Sequence, residues 1–188
     1  MRCKKRDGKM ERERDELIQR QANILRSLSV IPKKILSLHG RDNLTEFVMH
    51  DICQENCFNI QRAAYFVNNP DFNCLKGVVG VSIPEVPQGL WTDIWRQNEM
   101  FSTYMRNSPF NRKVRNFSQC SLEGVDIPND EIIEGVSRNL GIKNPSYFSV
   151  DMKHGNHGLF VYEGDHDDDL KDRHLVDGVS LLGFCPIF

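Results

Sequence analysis

Two stretches decide the fold: Phe58-Asn-Ile-Gln-Arg-Ala-Ala-Tyr-Phe-Val67 and Leu75-Lys-Gly-Val-Val-Gly-Val-Ser-Ile83. Both are rich in β-branched and aromatic residues, which suit a pleated, half-buried surface. Asn68-Asn69-Pro70-Asp71 lies between them, and such residues build tight turns. The spacing predicts a β-hairpin. Gly77-Val78-Val79-Gly80 falls inside the second strand and reads there as a bulge or a close backbone approach.

Upstream the period is helical. From Met10 to about Leu28, Leu17, Gln21, Leu25 and Leu28 share one stripe. Pro32 suits the first turn of a separate short helix, Lys33 to Leu38, with Gly40 as its stop. Asn43 followed by Glu46 is a capping-box pattern for a third helix, Leu44 to about Glu55. Downstream, Leu90 to Arg106 and Asp130 to Leu140 read as helices, with 107–128 irregular between them. Tyr147 to Met152 and Leu159 to Glu163 read as a second hairpin across Gly155-Asn156-His157-Gly158. The apolar run Val179 to Phe188 is expected as a last strand that pins the C-terminus into the sheet. Hairpins imply antiparallel pairing. The fold class is therefore α+β: a mainly antiparallel sheet of about five strands covered by helices, with an N-terminal helical segment. Residues 1–9 read as a flexible basic tail, and residues 10–188 as one domain whose part 10–56 is helical.

The chain has 188 residues, of which 39 % are apolar, so a substantial core is available. The basic start is followed by charge rather than by an apolar stretch, so no signal peptide or membrane span is expected, and the location is expected to be cytoplasmic. The net charge of −2 hides an asymmetry. Residues 1–41 carry twelve Lys/Arg against five Asp/Glu, whereas residues 151–178 carry three against eight. Such a split reads as a basic arm and an acidic loop. The N-terminal helix is a candidate dimerisation arm, although its short apolar stripe suits docking on the chain's own sheet better.

No Gly-rich phosphate loop, dinucleotide fingerprint or serine nucleophile elbow occurs, which removes the common nucleotide-driven and esterase chemistries. Arg106, Arg112, Lys113 and Arg115 interleave with Phe110 and Phe117 and could track phosphates, but a pI near 6.3 argues against a nucleic-acid binder.

Two groups have metal-ligand chemistry. His50, Cys53, Cys57 and Cys74 offer an imidazole and three thiolates, the donor set of a structural zinc site. On a helix the first three fall within about 60° of one another. The competing reading is reduced thiols on a second buried face, as expected of cytosolic cysteines. The other group is C-terminal: His154, His157, His166, Asp165 and Asp167, with His174 nearby, could supply a site for zinc, iron or manganese. Its competing reading is a hydrated, charged loop.

The leading functional expectation is a binding module for a small ligand or protein partner, in a cleft between helices and sheet. The alternative is a metal-dependent enzyme using the C-terminal His/Asp cluster. Neither reading fixes a ligand, and homo-oligomerisation is left open.

Overall fold

The computed structural model describes residues 3–69, 71, 73–87, 93–120, 130–152, 155–163 and 169–186, with backbone only for 3–10, 13, 69 and 169–173. The elements run α1 (Cys3–Ser37), α2 (Leu44–Cys53), β1 (Arg62–Asn69), β2 (Cys74–Ser82), α3 (Asn98–Asn107), α4 (Pro109–Arg115), β3 (Ser118–Cys120), α5 (Asp130–Leu140), β4 (Pro145–Asp151), β5 (His157–Glu163) and α6 (Asp169–Ser180). The five strands form one sheet in the order β3-β2-β1-β5-β4, and every neighbouring pair is antiparallel. The α+β architecture with an N-terminal helix is as the sequence predicts.

Both hairpins are present. In β1–β2, Tyr65 pairs with Val79 and Phe66 with Gly77, so Val78 is an extra residue and the strand bulges there. The glycines flanking it admit α4. A Cβ on Gly77 would lie 1.8 Å from the Val114 carbonyl oxygen, and one on Gly80 would lie 2.5 Å from Val114 Cγ2. The Gly-Val-Val-Gly segment is thus both bulge and close approach.

Alternation along β1 sends side chains to two cores, because successive residues face opposite sides of a strand. Ala63 and Tyr65 join the larger core, with Phe47, Met49 and Ile52 of α2, Phe101 of α3, and Leu175 and Val179 of α6. Ala64 and Phe66 join the smaller core, with Phe110 and Val114 of α4 and Ile132, Ile133, Val136 and Leu140 of α5. The sheet is buried on both faces.

Four expectations are corrected. First, α1 is one helix: Pro32 sits inside it, near its end, and does not start a new one. Its backbone is helical from Cys3. α1 packs on α2 and α6 rather than on the sheet, through Ile24, Ile31 and Ile35. Second, of the helix expected over Leu90 to Arg106, residues 93–97 are not α-helical and α3 starts at Asn98, while residues 90–92 lie outside the described residues. Third, the stretch expected to be irregular contains α4 and β3. Ser108 caps α4, its hydroxyl accepting from the Asn111 N–H at 3.1 Å, and Pro109 occupies the first turn. Fourth, the C-terminal run is not a strand. α6 reaches Ser180 and a 3-10 turn follows over Leu181–Phe184, so Leu175, Val179 and Leu182 bury one helical stripe. The fifth strand is β3.

Candidate functional site

A cleft lies between the second half of α1, the C-terminal end of α2 and the turn before α3. Its volume is about 780 Å³. Asn23, Ser27 and Lys34 come from α1, whereas His50, Asp51, Gln54 and Glu55 come from α2 and the residues just after it. Asp93 and Trp95 close the third side.

Asp51 organises the cleft. Its Oδ2 accepts from Lys34 Nζ at 2.7 Å and from Trp95 Nε1 at 2.9 Å. The Lys34 ammonium also lies 5.5 Å from the Trp95 ring centroid, within cation–π range. Trp95 is held in turn by packing on Phe47, centroids 5.1 Å apart, and by its backbone N–H donating to Asp93 Oδ1 at 3.0 Å. Three elements far apart in sequence are therefore tied to one carboxylate. Burial alone would raise the Asp51 pKa, but hydrogen bonding with His50, Lys34 and Trp95, together with the Lys34 charge, overrides it and leaves the pKa below the ordinary carboxylate value.

His50 is buried beside this group. Gln54 Nε2 lies 3.0 Å from His50 Nε2. The same amide nitrogen is 3.4 Å from His50 Nδ1, which is in turn 3.9 Å from Asp51 Oδ1. The His50 ring meets Phe101 edge-on at 5.1 Å. No protein-family model matches this chain, and no curated protein matches it significantly. The cleft is consequently read from its own chemistry. It presents three carboxylates (Asp51, Glu55 and Asp93) against the Lys34 ammonium, with Asp93 Oδ2 also 3.4 Å from Arg96 Nε, and Asn23, Ser27, Gln54 and Asn56 add amide and hydroxyl groups to the wall.

The sequence-predicted metal residues are placed differently. His50 and Cys53 share a buried face of α2, and Cys57 is buried just beyond it. Burial raises the Cys53 thiol pKa, and burial with the nearby Asp51 charge pushes that of Cys57 up to about 12. Thiols held protonated in this way behave as small core hydrophobes. Cys74 is not with them. It lies on β2 opposite Cys120 of β3, with the two sulfurs 2.8 Å apart. In the C-terminal group, His157 Nδ1 is 3.1 Å from Asp151 Oδ1 at an exposed position. His174 is 4.0 Å from Asp177. His154, Asp165, His166 and Asp167 lie outside the described residues. Among the described residues, no three His, Cys, Asp or Glu side chains group as metal ligands would.

The basic stretch is also resolved into roles. Phe110 and Val114 are buried under α4, and Arg115 Nη1 reaches Glu46 Oε1 at 3.3 Å. Glu46 further accepts from Asn111 Nδ2 at 3.0 Å and Asn43 Nδ2 at 3.0 Å. The Asn43–Glu46 pair thus bonds side chain to side chain, without the backbone cap that its spacing predicts. Among the described residues, no helix is long and apolar enough to cross a membrane.

Proposed function

We propose that the protein is a binding module whose ligand is a small molecule carrying an amine or guanidinium group, held in the Asp51 cleft. One observation carries the reading. A concave, mostly polar site surrounds a carboxylate fixed by Lys34 and Trp95, and its lining has an excess of negative charge. Asp51 Oδ2 is occupied by its two donors, so a ligand cation is expected at Oδ1, in a cleft that Glu55 also lines. The pre-oriented carboxylate lowers the ordering cost of binding, as expected of a site built on helices.

Trp95 supplies the readout. In a Trp91→Phe background its fluorescence is titrated with agmatine and putrescine, and in parallel with succinate. The expected result is a saturable change with the amines, lost in Asp51→Asn and absent with succinate. Saturable binding of succinate alone, or no response to either amine up to millimolar concentration, refutes the reading.

The metal-enzyme alternative draws on His154, His157, Asp165, His166 and Asp167; of these His157 is described, and it lies beside the exposed Asp151. Metal analysis of untagged protein, with and without chelator, tests it separately. Stoichiometric metal would bring it forward. A cytoplasmic location and a protein partner belong to the same proposal and are tested by fractionation and by light scattering.

A further inference from the structure

Cys74 and Cys120 are the directly opposed residues at the end of the β2–β3 pairing. The register fixes which kind of pair they are. Gly77 N–H donates to the Phe117 carbonyl at 3.0 Å, one step beyond the Lys76–Ser118 pair. Antiparallel ladders alternate hydrogen-bonded and non-hydrogen-bonded pairs. Counting back from Gly77 and Phe117 makes Cys74–Cys120 a non-hydrogen-bonded pair, where Cα atoms are about 4.5 Å apart and side chains are closest. That separation lies inside the range a disulfide spans. The sulfurs, at 2.8 Å, must close by only about 0.8 Å to bond.

We propose that Cys74 and Cys120 are an oxidation site that forms a reversible disulfide when the chain meets a hydroperoxide, locking β3 onto β2. Cys120 is exposed, so the oxidant reaches it without unfolding. Ser118 Oγ stands 3.2 Å from Cys74 Sγ and 3.7 Å from Cys120 Sγ, where its hydroxyl helps hold the attacking thiolate. Hydrogen bonds from Cys74 and Ser118 lower the Cys120 pKa, while that of Cys74 is raised. Cys120 is therefore the nucleophile and Cys74 the resolving thiol. Cys53, Cys57 and Cys185 are buried with raised pKa values, which leaves them slow to react.

The chemistry balances with hydrogen peroxide as oxidant. The Cys120 thiolate attacks one peroxide oxygen and the O–O bond breaks. The departing hydroxide takes a proton and leaves as water, and Cys120 becomes a sulfenic acid. Cys74 sulfur then attacks Cys120 sulfur, and the S–O bond breaks. The leaving hydroxyl takes the Cys74 proton as a second water. Two thiols lose two electrons, and one peroxide gains them.

The cross-link encloses α3, α4 and the turn bearing Trp95, and fastens a strand of only three residues to its neighbour. An edge strand this short has few ladder bonds to hold it, so a covalent tie changes its attachment more than it would that of an inner strand.

The test treats the folded full-length protein with submillimolar hydrogen peroxide, then labels all thiols after denaturation. The expected result is a mass lower by about 2 Da, protection of two of the six thiols, and a peptide joining Cys74 to Cys120, all reversed by dithiothreitol. The melting temperature should rise by roughly 5–15 °C. In Cys74→Ser, Cys120 should instead gain oxygen and stay monomeric in linkage, with circular dichroism reporting that the variant is folded. Sulfinic or sulfonic acid at Cys120 beside a free Cys74 in the parent protein would overturn the proposal. So would six free thiols after treatment, and an unchanged melting temperature in the cross-linked form would refute the locking of β3.

Discussion

The two faces of the sheet are built on different terms. On the α4/α5 face the backbone itself makes room: Gly77 and Gly80 let Val114 approach β2 where no side chain fits. That face is packed by shape. On the face that α2 covers, aromatic side chains fill the centre, and its margin is polar, with Asp51, Lys34, His50 and Trp95 around an open cleft. Shape-packed faces tolerate no added volume, whereas polar margins tolerate volume and depend on matched partners. A binding site is expected on the second kind.

Substitution at Gly77 breaks the comparison most severely. Gly77→Ala puts a methyl group onto the Val114 carbonyl, and backbone cannot step aside as a side-chain tip can. A loss of about 3–5 kcal/mol is expected in urea melts, from a typical total of about 5–15 kcal/mol. Gly80→Ala meets only the side chains of Val114 and Phe110, so it should cost less, and Val114→Ala should relieve it in a double-mutant cycle. Near-neutral behaviour of Gly77→Ala would show that the α4 face is not packed by shape.

The next effect is at Asn111, which is fully buried and joins the two faces. It accepts from the Gly80 N–H at 2.9 Å and donates to Glu46 and to the Met105 carbonyl. Asn111→Leu leaves the buried Glu46 carboxylate and the Gly80 N–H each short of a partner, for about 2–4 kcal/mol by chemical denaturation.

Acid sharpens the contrast on the cleft side. The Asp51 pKa is depressed in the fold, so its stabilisation is present above the ordinary carboxylate value and is lost as pH falls through the lower folded value. Asp51→Asn should therefore be less stable than the parent by about 1–3 kcal/mol between pH 5 and 8, and the gap should close below about pH 4. A gap that is constant down to pH 2 would sever Asp51 from its ion pair. The smallest effect is at the solvent edge: His157→Ala loses one contact to the exposed Asp151 and should shift stability by no more than about 0.5 kcal/mol.

How much of this was legible depended on range. The hairpins were readable because period-two patterns and Asn/Gly turns are local signals. α5 was readable from its acidic first turn and from Gly141, whose φ of +71° ends the helix. α4 is not legible although Ser108-Pro109 is a helix-start pair, because its seven residues are too few to show a helical period. α6 was missed because the final apolar run outweighed Leu175, Val179 and Leu182, whose spacing is helical. Helix geometry places His50 and Cys53 on neighbouring positions of α2, but α2 ends at Cys53, so the arc expected to include Cys57 is not formed by one helix; all three side chains are buried. The cleft was beyond local reading. Lys34, Asp51 and Trp95 meet only after three elements pack, and no short-range spacing encodes that.

The strand order has a consequence for how the chain is made. β1 and β5 form the central seam of the sheet, pairing Ala63 with Tyr162 and Asn68 with His157 across sequence separations of 99 and 89 residues. Each hairpin closes a short loop and can assemble within microseconds, but the seam must wait for the long one. During synthesis the β1–β2 ribbon therefore emerges well before its mate, with Tyr65 and Phe66 still lacking neighbours such as Phe160 and Leu159 that pack in their cores. Nascent chains held at that length are the ones a chaperone should engage, and release should coincide with the arrival of β5.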